Sequence, residues 1–287
     1  MALELRKAYW DDPESRSAFK NFMRNIHGLD FTDWEAAGYW DDDYMPFSYF
    51  EGDRIIASVC LYFLDVVIDG QQMRTVQISG VGTLPEWRCR GLNRRLTEAA
   101  LEWAEGKHTG IFLFSDTEAI PFYSKCGFTP IDEYVEMCDA PACAGCQSAV
   151  KLDPAKPADR DRIFALASRR TAVSDRFGVL NPKLLMFHAL YMLPNDIYAI
   201  PDLGCIVFYR RTADRLMIFD IIGERMPLLK DLYPCISHQN DRYLEFHFHT
   251  DKLGLTNTSF EMLAGNNPFV RGVFSNSRPV FPFTFRA

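Results

Sequence analysis

Residues 78–96 read ISGVGTLPEWRCRGLNRRL. An apolar, strand-like run passes Gly80 and Gly82, a short turn carries Arg88, Arg90 and Gly91, and a helix begins at Leu92. A strand that feeds a helix through a turn is a ready anion site. The first N–H groups of the helix lack intrahelical acceptors, and the helix dipole is positive at that end. Gly91 lets backbone approach an anion with no side chain between them. Arg88 and Arg90 add charge-assisted hydrogen bonds suited to phosphate oxygens, although two arginines alone read more simply as solvated cations beside a capped helix. Two phosphate motifs are excluded. The P-loop needs Gly-Lys-Ser/Thr where this chain has Arg-Gly-Leu-Asn, and Gly80, Gly82 and Gly91 lack the spacing of a dinucleotide fingerprint. The anion is therefore neither a bare nucleoside triphosphate nor NAD.

Working outward, residues 4–8 read as a short strand and 12–26 as a helix, with Pro13 near its start and Phe19, Phe22, Met23 and Ile26 at helical spacing. A short helix at 32–37 precedes strands at 47–50, 54–67 and 73–81, the last two joined by the tight-turn pair Asp69-Gly70. The helix at 92–105 puts Leu92, Leu96, Ala99, Ala100, Trp103 and Ala104 on one face. A strand at 111–115, a helix at 118–125 and strand material at 128 and 134–137 follow. The stretch 139–157, rich in Ala, Pro and Cys, reads as a connection with one strand at 148–152. Beyond it the order repeats loosely. Helices are expected at 158–168, 182–191 and 227–232, and strands at 196–200, 205–209, 215–222, 243–249, 269–274 and 280–285. The pattern suggests a diverged internal duplication. The division is a first domain at 1–140, a linker at 141–157 and a second domain at 158–287.

A chain of 287 residues is long enough for two cores. The net charge of -7 argues against a nucleic-acid partner, since a phosphate backbone must be met by cations. No apolar run reaches the length of a membrane span, and the first residues have no apolar signal core, so the expected location is the cytoplasm. The eight cysteines fit free thiols in a reducing compartment. Cys138, Cys143 and Cys146 lack the fourth ligand of a zinc site and read as a linker cluster, so no metal is expected. His247 and His249 share one face of a strand and Phe246 and Phe248 the other, which is ordinary patterning.

Arg88-Cys89-Arg90-Gly91-Leu92-Asn93 resembles the Arg/Gln-x-x-Gly-x-Gly/Ala signature of the GNAT superfamily of N-acetyltransferases, and Val81-Gly82-Thr83-Leu84-Pro85-Glu86-Trp87 resembles its V-x-T-x-P-x-x-R lead-in. Some thirty residues on, residues 119–128 (AIPFYSKCGF) resemble the family's A-x-x-F-Y-x-K-x-G-F block. Asn93 departs from the signature, where Gly or Ala is usual. The two motifs cover roughly the first half of the chain. The extra C-terminal domain looks most like the enhanced-intracellular-survival branch, which acetylates aminoglycosides, although this chain is shorter.

The resemblance implies an α/β (α+β) GNAT fold, a mixed and mostly antiparallel sheet flanked by helices, with a degenerate GNAT-like second domain. It implies acetyl-CoA as acyl donor, with the pantetheine arm along Val81, Gly82 and Thr83. The pyrophosphate would meet Arg88, Cys89, Arg90, Gly91, Leu92 and Asn93, with Ser115 on the facing strand. It implies direct attack by an amine in a ternary complex, a backbone N–H near Val81 for the oxyanion, and Tyr123 as the acid that protonates the leaving thiolate, for which a pKa near 10 is suited. Without the motif, Tyr123 would read as a core aromatic.

The base is left open between Glu86, Asp116, a water chain and the chain terminus Ala287. Trp34 and Trp40 could stack on a small-molecule or peptide amine, and Asp41 to Asp43 could attract it; a solvated acidic loop with two packing tryptophans is an equal alternative. In the second half the matching junction, residues 219–233 (FDIIGERMPLLKDLY), has one glycine and no Arg-x-x-Gly. That half is expected to have lost CoA binding and to close the acceptor pocket or form a homo-oligomer contact. Two other functions fit the same residues, a non-catalytic acyl-CoA-binding sensor and an acyltransferase that uses another acyl group or a hydroxyl acceptor.

Overall fold

The computed structural model describes residues 3–143, 145, 148–272, 274 and 278–287. In chain order the strands are β1 (Glu4–Lys7), β2 (Tyr44–Glu51), β3 (Arg54–Ile68), β4 (Gln71–Thr83), β5 (Gly110–Phe114), β6 (Thr129–Pro130), β7 (Tyr134–Asp139), β8 (Val150–Lys151), β9 (Phe177–Val179), β10 (Ile197–Ile200), β11 (Cys205–Thr212), β12 (Arg215–Gly223), β13 (Tyr243–Phe246), β14 (Ser259–Met262) and β15 (Pro268–Gly272). The helices are α1 (Pro13–His27), α2 (Thr32–Ala36), α3 (Leu92–Ala104), α4 (Ile120–Lys125), α5 (Pro157–Ala167), α6 (Pro182–Phe187) and α7 (Leu229–Ile236). No described helix is long and apolar enough to cross a membrane.

The strands form two sheets, ordered β1-β2-β3-β4-β5-β15-β6 and β8-β10-β11-β12-β13-β7-β14, with β9 added to the far end of β3. Both sheets run through the same succession of three antiparallel pairings, one parallel and two antiparallel. That shared order is the structural counterpart of the loose repeat in the sequence. The sheets also exchange a strand. The sixth position of the first is β15, from the end of the chain, and the sixth of the second is β7, from the first half. Strand membership thus cuts across the division at residues 140 and 158.

Local chemistry explains the elements that frame the site. Helix α1 starts at Asp12, whose carboxylate accepts from Glu14 N–H, takes Pro13 in its first turn and stops at left-handed Gly28. Its buried Phe19, Phe22 and Met23 lie on the first sheet. Leu92, Leu96, Thr97, Ala100 and Ala104 seat α3 on β2, β3 and β4. The helix expected at 182–191 is α-helical only to Phe187 and continues as a π-helical turn at His188–Met192. The strand expected at 280–285 is not one. Pro279 and Pro282 have no N–H to give a ladder, and the segment ends in a 3₁₀ turn at Phe283–Phe285.

That last segment is pinned between the sheets. Thr284 Oγ1 donates to Asp220, Arg286 Nη2 reaches Glu133 Oε1 at 2.6 Å, and Gln77 of β4 donates to Phe285 O at 3.0 Å and accepts from Ala287 N–H. Asp220 is itself held bidentately by Arg170, at 2.9 and 2.6 Å, with both side chains out of solvent. Removing one member of such a pair costs about 3–5 kcal/mol.

Candidate active site

β4 pairs with β5 only through Val76–Ile78, opposite Ile111–Leu113, and the strands then part. On its other edge β4 slips against β3. Ser58 faces Gly82 and Cys60 faces Ser79, so the extra residue falls at Gly80–Val81, where Gly80 takes φ +56°. The end of β4 therefore presents unpaired backbone to a trough of about 740 Å³. Its near side is Val81, Gly82, Thr83 and the turn Arg88 to Arg94. Its far side is Asp116, Glu118, Pro121, Phe122 and Lys125, and Ile26 and His27 of α1 close one end.

The turn is built to expose donors. Cys89 and Gly91 both have positive φ, +61° and +71°, and Gly91 caps α3 without a side-chain hydrogen bond. Among the described residues no acceptor meets the backbone N–H groups from Cys89 through Arg94. Left-handed backbone at a residue with a side chain is uncommon, and here it turns successive N–H groups to one side. Arg88 Nε donates to Thr83 O at 3.2 Å. Arg90 Nη2 donates to Glu86 O at 3.0 Å, with its guanidinium 4.6 Å over the Trp87 ring. Both cations are thus held at the rim. The unusual Asn93 accepts from Thr83 Oγ1 at 2.7 Å.

Where β4 bulges, a second cavity of about 160 Å³ adjoins the trough, and His27 borders both. Its walls are Met23, Leu29, Phe31, Trp34, Tyr44, Tyr62 and Gly80 from the first half, Leu184 and Phe187 from α6, and Ala287. Residues of the second half therefore close a pocket that the first half opens. The Tyr62 hydroxyl is buried with no hydrogen-bond partner, and burial raises its pKa well above the usual phenol value.

Of the residues expected to meet the donor, all but Ser115 line the trough. Ser115 is buried behind the far wall, its Oγ donating to Asp116 O at 2.8 Å and its backbone bracketed by Asn267. Tyr123 is 5% exposed, edge-on to Phe122 and Phe128 and tilted on Phe269; α4 lines the trough with its neighbours Pro121 and Phe122. Burial raises the Tyr123 pKa, with Cys126 and Asp116 adding to it. Trp34 lines the second cavity, its indole N–H donating to Lys183 O at 2.8 Å. Trp40 is packed instead against Phe19 and Phe31 and bonded to Tyr44 O at 3.2 Å. Asp41 is held by Lys183 and Asp43 by Arg74, so two of the three expected amine attractors are already paired within the protein, and Asp42 is exposed.

Of the carboxylates weighed as bases, Asp116 borders the trough and Glu86 pairs with Arg54 at 2.9 Å. His27 had no signal in the sequence beyond a lone histidine at a helix end. Although the residue is solvent-accessible, desolvation holds its pKa below the usual histidine value, with the Asp116 charge opposing.

In the second half the matching junction carries no Arg-x-x-Gly turn. There Asp220 is occupied by Arg170 and Thr284. His247 and His249 lie past the end of β13, beside Glu245 (2.8 Å) and Glu136 (3.7 Å) respectively. Cys146 lies outside the described residues. Burial pushes the Cys138 thiol up to about 11, and Cys143 is exposed.

Residues 3–128 match the sequence model of the acetyltransferase (GNAT) family. No curated protein matches the chain. Among solved structures, the fold is similar to a conserved protein of unknown function from Enterococcus faecalis V583, described as a probable N-acyltransferase. The TM-score is 0.63 at 14% identity, over 99% of this chain and 74% of that one. It is also similar to Eis1 from Mycobacterium abscessus, with TM-score 0.55 and 16% identity over 94% and 73% of the two chains. A GCN5-related N-acetyltransferase from Kribbella flavida gives TM-score 0.53 and 17% identity over 93% and 72%. At these identities the likeness is one of fold.

Proposed function

The chain belongs through residues 3–128 to the acetyltransferase (GNAT) family, and on that premise we propose that it transfers an acetyl group from acetyl-CoA to a primary amine. The observation that carries this reading is the juxtaposition at β4. One side of the bulge opens on a trough with free N–H groups from Cys89 to Arg94, the other on an apolar cavity. Six donors at a helix start fit a pyrophosphate, and the unpaired edge of Val81–Thr83 fits the amides of a pantetheine arm. Direct transfer needs donor and acceptor held together, which two adjoining cavities provide. The amine nitrogen attacks the thioester carbonyl, the C–N bond forms, the C–S bond breaks, the amine loses a proton and the thiolate gains one. Tyr123, kept protonated by burial, is the assigned proton donor; His27 at the junction, its pKa held below the usual histidine value, and the Ala287 carboxylate on the cavity wall are the candidate proton acceptors.

One observation favours a second reading, a non-catalytic acyl-CoA sensor: the Tyr123 ring is packed under Phe122 rather than among the trough-lining residues. Two measurements separate these readings. A ligand at a hundred times its Kd stabilises by about 2.7 kcal/mol, so acetyl-CoA should raise the melting temperature, and no shift at millimolar ligand removes both readings. Thiol release in the presence of amines then supports the enzyme, and its absence with every amine supports the sensor.

A further inference from the structure

We infer that the acceptor is a primary amine carried on a short chain from a single aromatic ring, and not a polycation; this rests on the acetyltransferase reading. The cavity beside the β4 bulge holds about 160 Å³, close to the roughly 150 Å³ of an apolar protein cavity that takes up benzene. One ring fills it. Its walls are dominated by Phe31, Trp34, Tyr44, Tyr62 and Phe187, several set edge-on to one another at 5–6 Å, such as Tyr44 on Tyr62 at 5.2 Å and Trp34 on Phe187 at 6.2 Å. A further ring extends that edge-to-face packing.

Charge points the same way. No carboxylate side chain lines the cavity, and four acidic residues near it are paired: Asp30 by Arg24, Glu35 by Arg16 and Lys20, Asp41 by Lys183 and Asp43 by Arg74. The anion on the wall is the Ala287 carboxylate, so a polyamine or aminoglycoside would bring several charges where one is answered. The Tyr62 hydroxyl is buried and without a partner. It suits a hydrogen-bonding substituent on the ring, such as a phenolic hydroxyl, because a buried polar group left unpaired discriminates strongly between ligands that do and do not complete it. The amine then lies toward His27, which borders both the cavity and the trough.

The test uses the full chain with acetyl-CoA as donor and thiol release as readout, comparing tyramine and 2-phenylethylamine with spermidine and kanamycin. The expected kcat/KM is at least about 100-fold higher for the two aryl amines, with tyramine ahead of phenylethylamine by about tenfold. Tyr62→Phe should erase the preference for tyramine over phenylethylamine. Leu184→Phe, which fills the cavity, should raise the KM for both aryl amines and leave stabilisation by acetyl-CoA unchanged. If acetyl-CoA stabilises the protein but spermidine or kanamycin is the better acceptor, or no aryl amine is acetylated, the inference is overturned and the acetyltransferase reading survives. If acetyl-CoA gives no stabilisation at all, both are overturned.

Discussion

Thr83, the last residue of β4, donates its hydroxyl to Asn93 Oδ1 in the first turn of α3 at 2.7 Å. The side chain that departs from the family signature therefore ties the strand end to the helix start, and its acceptor oxygen is turned away from the free N–H groups of the turn. Asn93→Ala should cost about 1 kcal/mol, the usual net value of such a bond, seen as a fall of roughly 2 °C in melting temperature. The acetyl-CoA KM should stay within about threefold. Asn93→Asp keeps the Thr83 bond but adds a negative charge where an anion is expected. Its acetyl-CoA KM should rise about tenfold with no fall in melting temperature. Equal KM values for the two variants would show that no anion binds at this turn.

Gly82 is required for space and Gly91 for conformation. A Cβ on Gly82 would stand 2.9 Å from Ile26 Cγ2, 3.2 Å from Phe22 Cζ and 3.3 Å from His27 Nε2, whereas one on Gly91 meets nothing within 4 Å but sits at φ +71°. Gly82→Ala should cost about 1–3 kcal/mol, as overpacking does, and push the end of α1 off the trough, so that stabilisation by acetyl-CoA is largely lost. Gly91→Ala should cost about 1–2 kcal/mol from its left-handed backbone. Differential scanning fluorimetry with and without acetyl-CoA distinguishes them: the Gly82 variant should lose the ligand shift, the Gly91 variant only part of it.

The near side of the trough was legible in sequence because everything that makes it is local. Strand, turn and helix follow one another from Ile78 to Leu96, and glycine and arginine speak for themselves there. The second cavity was not, because its walls are aromatics indistinguishable from core residues. Of its walls the sequence singles out Trp34, for stacking, and Ala287, as a possible base, whereas Tyr62, Phe187 and Leu184 read as packing. The acidic run 41–43 looked like an amine attractor because the partners that occupy it, Lys183 and Arg74, lie far away in the chain. The strand exchange was invisible for the same reason. Residues 269–274 read as a strand, but nothing local says that β15 pairs between β5 and β6 rather than within its own half.

Tyr123 is buried, and its raised pKa keeps the phenol protonated across any working pH. If it delivers the proton to the thiolate, Tyr123→Phe should lower kcat about 100-fold, the low end for loss of a general acid. The acetyl-CoA thermal shift should be unchanged, since the ring packing on Phe122, Phe128 and Phe269 is preserved. Unchanged kcat means that Tyr123 is a core aromatic and the proton comes from elsewhere.

His188 links acid stability to the acceptor cavity. Its Nε2 is 2.7 Å from Arg286 O, which fits a neutral ring donating to the carbonyl, and so anchors the segment that carries Ala287 to the cavity wall. Burial pushes its pKa down to about 4, the backbone bond to Arg286 opposing. In the unfolded chain the ring titrates near 6.5. Between about pH 6.5 and 4 the unfolded state therefore binds a proton that the folded state does not, and stability falls as pH falls through that window; above it the group contributes no slope. At pH 5 the loss from this one residue is about 2 kcal/mol. Glu136 acts in the same direction lower down: burial alone would raise it, but hydrogen bonds from His249, Thr258 and Thr250 leave it at about 2. His188→Gln keeps a donor for Arg286 O and cannot titrate. Urea unfolding at pH 7 and pH 5 should show the wild-type stability dropping by about 2 kcal/mol more than the variant's over that interval. Parallel losses in the two proteins would mean that His188 is already protonated in the fold.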